Sequence, residues 1–256
     1  MDEFIGMGLS DESFLTQVAE KMQKMEEPFY SFIITLTSHH PFTMDEKYCK
    51  INLKEEHKGT LFGDYINSIN YFDTALQKFF NELKEKGLYE DSIFVIYGDH
   101  FGIANYNYPD VYFVKELMDS QYTYMDMLNV PLIIHIPEME KAETIETVAG
   151  HVDVLPTLLH LLGIENNKGI MMGNDIFSVD ENIVYEMMHV GEGSFITNDV
   201  FYYSSISGIE VFNKAYDLKT GSEVVITNEM LKGSRKAIEA LRNARALLNA
   251  NRIIRD

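Results

Sequence analysis

The sequence is 256 residues long, 46% hydrophobic and strongly acidic, with 21 basic against 40 acidic residues and a formal net charge of −19. That length and apolar content suffice for one sizeable core, and the charge argues against nucleic acid or an anionic membrane surface as a partner. No apolar run reaches the roughly 18 residues a membrane helix needs, Met1-Asp2-Glu3 is acidic where a signal peptide would be basic, and the single cysteine, Cys49, allows no internal disulfide.

In chain order, Ser10-Asp11-Glu12 predicts the start of a helix running to about Met25, with Ser10 as N-cap and the two acids at the positive end of the dipole. Phe29 to Leu36 is expected to be a strand, from which Thr37-Ser38-His39-His40-Pro41-Phe42 leaves as a rigid turn. Residues 43 to 60 are polar and irregular and predict a surface loop. From Leu61 to Lys86, Ile66, Ile69, Phe72, Leu76, Phe79, Phe80 and Leu83 recur at helical spacing, with Gly87 suited to the position after the last turn.

Ile93 to Tyr97 is a short β-branched and aromatic run, a buried and expectedly parallel strand that Gly98 ends. Residues 103 to 128 predict a loop, a short helix and another loop. Val130 to Pro137 predicts a third strand with His135 as an ordinary sheet residue, and Glu138 to Thr147 a charged surface segment. A helix is expected from about Val154 to Leu162, with Asp153 as its cap and His151 either structural or facing the site. Short strands follow at Ile183 to Met188, Val200 to Ser205 and Ile209 to Phe212, then a helix from Met230 to Asn249.

The chemistry gathers at Asp99-His100, directly after the central strand. Ligands of open parallel sheets bind beyond the carboxyl ends of strands. A carboxylate and an imidazole there can share a metal ion, or can simply be a satisfied polar pair in a turn. His39 leaves its strand at the same expected edge, so His39, Asp99 and His100 are predicted to converge.

Ile96-Tyr97-Gly98-Asp99-His100-Phe101-Gly102-Ile103 resembles the metal-binding motif of the sulfatase-like phosphoglycerol transferases, the family of the lipoteichoic acid synthases. Three further stretches resemble that family in the same order: Phe32 to Phe42, Gly150 to Leu159, and Tyr216 to Gly221. Met7-Gly8-Leu9-Ser10-Asp11-Glu12 is similar to the family's Trp-Gly-x-Ser-Asp-Glu, with Met7 in place of Trp. The resemblance implies a three-layer α/β, sulfatase/alkaline-phosphatase-like fold with a mostly parallel sheet, followed by a small antiparallel sheet and a final helix. It also implies one partial domain over 1–256, with the α/β portion at 1–178 and the small sheet and helix at 179–256.

As implied roles, Asp99 and His100 are metal ligands, the ion being Mn, with Mg or Zn as alternatives. His39 contacts the glycerophospho group, with Ser38 replacing the family's Asn. The family's nucleophilic Thr and its Glu ligand lie upstream of the segment at Met7, so they are expected to lie outside this chain. A substitute nucleophile at Thr35 or Thr37 conflicts with their non-catalytic positions in the family's strand. The chain is therefore expected to be the C-terminal portion of a catalytic domain, as a fragment, a truncated reading frame or half of a split protein. Its expected partners are the missing N-terminal half and an anionic glycerophospholipid-type substrate, at the extracytoplasmic face of a bacterial membrane. The alternatives are a sulfatase or phosphodiesterase hydrolase, and a non-catalytic remnant or binding module.

Overall fold

In the computed structural model, which describes residues 3–165, 169–186 and 188–254, β1 (Phe4–Ile5) and β2 (Gly8–Leu9) form a short antiparallel pair that leads into α1 (Asp11–Met22). Ser10 caps α1 as its residue type predicts, its hydroxyl oxygen accepting from the Ser13 N–H at 3.2 Å. After a 3-10 turn at Glu55–His57 comes α2 (Leu61–Glu85), capped by Thr60 and followed by Gly87 at φ +71°. Leu15, Ala19 and Met22 of α1 and Ala75, Phe79 and Leu83 of α2 repeat at three- and four-residue intervals, and these faces form one buried core. Polar links flank it: Thr16 Oγ1 donates to Glu82 Oε1 at 3.0 Å, and Lys78 Nζ meets Glu12 Oε1 at 2.8 Å.

The expected strands near 93–97 and 130–136 appear as β3 (Phe94–Tyr97) and β4 (Leu132–His135), separated by α3 (Asp110–Met118) and α4 (Tyr124–Leu128). They pair antiparallel, with Phe94 opposite His135 and Tyr97 opposite Leu132, rather than in parallel. Residues 29–36 join no ladder among the described residues. The expected parallel pairing of the three segments is therefore not realised. An apolar run signals burial, but direction is set by neighbours distant in sequence. Phe29 and Ile33 pack on the α1–α2 core, whereas Tyr30, Phe32 and Ile34 are 73%, 63% and 60% exposed. These residues form one compact unit, Met1–Ala142.

Glu143–Asp256 form a second compact unit. Its first helix, α5 (His151–Leu161), starts earlier than the sequence predicts. Gly150 is the N-cap, and Asp153, expected as the cap, sits inside the first turn and reaches back to the Gly150 N–H at 2.8 Å. The buried Asp153 carboxylate also accepts from the Asn174 N–H at 2.7 Å and Asn182 Nδ2 at 2.9 Å. This satisfaction makes its burial tolerable.

The remaining strands form a five-stranded antiparallel meander: β5 (Val184–Glu186), β6 (Ser194–Ile196), β7 (Val200–Tyr203), β8 (Lys214–Asp217) and β9 (Glu223–Val224). The strand expected at Ile183 to Met188 survives as β5, and Met187 lies outside the described residues. Ile209 to Phe212, expected as a strand, holds a 3-10 turn at Glu210–Phe212 instead. Ile209, Val211 and Phe212 are all exposed there, so the segment has no buried face to hold it in a sheet. The meander packs through Phe195, Tyr202 and Ala215 on Ala237 of the last helix, α6 (Asn228–Asn249), giving the small antiparallel sheet and final helix that were expected.

Candidate active site

Strand β3 ends at Tyr97, and the Gly98 N–H still bonds the Pro131 carbonyl at 3.1 Å. A Cβ at Gly98 would stand 3.0 Å from Val130 Cβ, so any larger residue here would press on the Val130 side chain. Asp99 and His100 follow in the open, their side chains 78% and 49% exposed, with His100 Nε2 3.8 Å from Asp99 Oδ1. The His100 Nδ1 lies 2.7 Å from the Phe101 carbonyl oxygen. A carbonyl can only accept, so Nδ1 carries a proton, and when the ring is neutral Nε2 is the acceptor on the Asp99 side.

His39 occupies the turn after residues 29–36, and its ring stands edge-on to His100 with centroids 6.3 Å apart. Its Nδ1 lies 2.8 Å from the His40 carbonyl, so its Nε2 is likewise an acceptor when the ring is neutral. The structure thus brings the His39 and His100 rings together with Asp99 beside His100. Two acceptor atoms 3.8 Å apart, one carboxylate and one tautomer-fixed imidazole, suit half of the ligand shell of a divalent ion.

What holds the two turns was not visible in the sequence. Tyr65 of α2 backs both. Phe42, buried at φ +65°, meets the Tyr65 ring edge-on at 5.1 Å and the His40 ring at 5.7 Å. A Cβ on Gly102 would lie 2.4 Å from Tyr65 Cε2. Burial pushes the Tyr65 phenol above its ordinary range. Tyr122 donates to the Ile103 carbonyl at 2.6 Å, and burial raises its phenol to about 12, so this donor stays protonated. Asp11, expected only to favour the helix dipole, fixes the His39 turn: its Oδ1 accepts from the N–H groups of Leu36 at 2.9 Å and Thr37 at 3.0 Å. The Asp11 N–H in turn donates to Thr37 Oγ1 at 2.9 Å.

The tight fit at Gly102 has a measurable consequence. Gly102→Ala is expected to cost about 1–3 kcal/mol, the usual penalty of overpacking. The additional substitution Tyr65→Ala should relieve part of that clash, so the pair should be non-additive in urea unfolding. Strict additivity would mean that the ring does not wall this turn.

Among known proteins, the chain is 38% identical over 247 residues to the lipoteichoic acid synthase-like YvgJ of Bacillus subtilis, covering 95% of this chain and 38% of that protein. It is 39% identical over 220 residues to the lipoteichoic acid synthase of Staphylococcus aureus (strain USA300), covering 84% of this chain and 32% of that protein. The crystal structure of the lipoteichoic acid synthase LtaP from Listeria monocytogenes superposes with a TM-score of 0.87 at 28% identity, covering 97% of this chain and 62% of that one. An alkaline phosphatase superfamily protein from Vibrio parahaemolyticus shares the fold, with a TM-score of 0.74 at 19% identity. The chain therefore spans well under half the length of the curated relatives it matches, and its fold is the expected sulfatase/alkaline-phosphatase-like one. The model of the Sulfatase family matches residues 2–164, which include His39, Asp99 and His100, and the chain belongs to that family.

Proposed function

We propose that this chain is the C-terminal portion of a metal-dependent phosphoglycerol transferase that acts on glycerophospho head groups in cell-envelope polymer synthesis. The observation that carries this reading is the edge-on approach of His39 and His100, 6.3 Å between centroids, with Asp99 beside His100. Asp99 and His100 Nε2 would hold a divalent cation, Mn in our reading. When bound, the ion would neutralise charge on the phosphate oxygens and so supply most of what an acidic chain lacks toward an anionic substrate.

The chain's own residues orient the head group. With its Nδ1 proton committed to the His40 carbonyl, a neutral His39 offers Nε2 as acceptor to a glycerol hydroxyl. Phe42 and Tyr65 keep that imidazole and the Asp99-His100 turn from moving independently. Such positioning supplies much of the rate in transfers of this type.

The exposed Tyr30, Phe32 and Ile34 lie on a segment without strand partners among the described residues. We assign this face to the remaining part of the catalytic domain, which would add strands beside it and bring the nucleophile. That the chain covers only 62% of the similar Listeria chain supports this assignment. A setting at the extracytoplasmic membrane surface follows from the same reading. No helix among the described residues is itself long and apolar enough to cross a membrane.

The test fuses the preceding part of a homologue's catalytic domain ahead of Met1 and supplies labelled phosphatidylglycerol with Mn. Release of diacylglycerol together with growth of a glycerophosphate product is expected. Release of free glycerophosphate alone would favour a phosphodiesterase, and no turnover by a folded fusion would overturn the reading.

A further inference from the structure

A second group of metal-ligating side chains lies in the Met1–Ala142 unit and uses none of His39, Asp99 or His100. Glu56 and His57 stand on the 3-10 turn before α2, and Glu116 stands on α3. One ligand atom from each lies within 4.8 Å of the other two. Independently of that grouping, His57 Nε2 is buried and has no hydrogen-bond partner among the described residues. The His57 side chain is only 12% exposed, and Glu56 Oε1 is 3.9 Å from Nε2, beyond hydrogen-bond range. A buried ring nitrogen without a partner is costly and calls for a physical reason.

The surroundings hold these groups in place. The His57 carbonyl accepts from Thr60 N at 3.3 Å and Thr60 Oγ1 at 2.8 Å, which ties the turn to the start of α2. A Cβ at Gly63 would stand 2.1 Å from that carbonyl, so only glycine lets the turn lie so close. The His57 ring meets Phe62 at 4.9 Å and Phe113 at 4.7 Å, both edge-on. Asp110, buried at the start of α3, accepts from the Phe62 N–H at 2.8 Å and so links the two helices at the same place. Phe113 therefore anchors α3 against His57, and Glu116 follows one turn later.

We propose that Glu56, His57 and Glu116 form a second divalent-cation site, of the type that takes zinc or a related first-row ion. One imidazole and two carboxylates leave a fourth tetrahedral position for water or a ligand. In such a shell, donors about 2.0–2.1 Å from the ion lie about 3.4 Å apart. The observed spacing of up to 4.8 Å is wider than that, so binding would require the two exposed glutamates to move toward His57. The ion would give His57 Nε2 its partner and would relieve the mutual repulsion of the glutamates, of which, among the described residues, only Glu56 is paired with a cation, Lys54 Nζ at 3.7 Å. Binding would clamp the turn before α2 onto α3.

The test titrates Zn²⁺ by calorimetry into the full chain carrying Asp99→Ala and His100→Ala, which removes the other candidate ligands. One equivalent is expected, with a rise in melting temperature. Adding Glu116→Gln or Glu56→Gln should weaken binding about tenfold or more, the scale set by disturbing a ligand set. Both glutamates are at the surface, so the metal-free melting temperature should not change. Adding His57→Gln should abolish binding, and circular dichroism would separate that loss from unfolding. Absence of saturable binding, or binding indifferent to both glutamine variants, overturns the site. Because the Asp99-His100 pair is absent from the tested protein, the outcome is independent of the transferase reading.

Discussion

Asp11→Ala is expected to destabilise the Met1–Ala142 unit by about 3–4 kcal/mol and to loosen the turn that carries His39. The carboxylate is wholly buried at the start of α1, and its Oδ1 holds the N–H groups of both Leu36 and Thr37. Alanine leaves those two donors without an acceptor, at about 1–3 kcal/mol for each that stays buried. It also removes a negative charge from a helix N-terminus. Asp11→Asn keeps an oxygen where Oδ1 stands and should cost only about 1–2 kcal/mol. Urea unfolding measures both, and amide exchange at Thr37 and Ser38 should accelerate in Asp11→Ala. A cost below about 1 kcal/mol for the alanine variant would show that the turn is held by something else.

This carboxylate also marks how far the sequence could be read. Ser10-Asp11-Glu12 announces a helix start by residue type alone, and the structure agrees. Nothing local announces that Asp11 reaches Thr37, since that bond joins residues far apart in the chain. The long α2 was legible because apolar residues recur at helical spacing over many turns. Of the residues read as its stripe, however, only Phe79 and Leu83 are buried, and Ile69 is exposed; the buried face runs through Asn67, Tyr71, Ala75, Phe79 and Leu83. Tyr65 lies off that stripe, so its role behind Phe42 and Gly102 appears only when α2 is placed against both turns.

The strands illustrate a different limit. The runs of residues 93–97 and 130–136 were recognisable as strands, because β-branched and aromatic residues fit a pleated, half-buried surface. Their antiparallel pairing was not, since the same apolar pattern suits either direction. Nor is β3 fully buried as expected; it is only partly buried. Residues 29–36 are mostly apolar, as a central strand would be, yet they join no sheet among the described residues. Similarly, Glu56-His57 and Glu116 carry no recognisable spacing. Residues 43 to 60 read as a polar surface loop, and their proximity to α3 follows from the aromatic packing of His57, Phe62 and Phe113.

The largest effect is expected on activity. The chain of 256 residues, supplied with Mn, should neither transfer glycerophosphate nor hydrolyse a model phosphodiester above background. Asp99 and His100 stand open to water, 78% and 49% exposed, so water would fill most of the shell of any ion they held. A loosely held, largely hydrated ion lacks the fixed geometry on which such catalysis depends. The apolar Tyr30, Phe32 and Ile34 should also make the chain alone self-associate, which light scattering would detect. Fusion to the preceding part of a homologue's catalytic domain should restore turnover and disperse the aggregates. In that fusion, Asp99→Ala should lower kcat by a factor on the order of 10³, the scale of losing one preorganised electrostatic element. His39→Ala should instead raise KM for the lipid more than it lowers kcat, because His39 is assigned to the head group. Robust turnover by the unfused chain, abolished by Asp99→Ala, would place the nucleophile within these residues and refute the partial-domain reading.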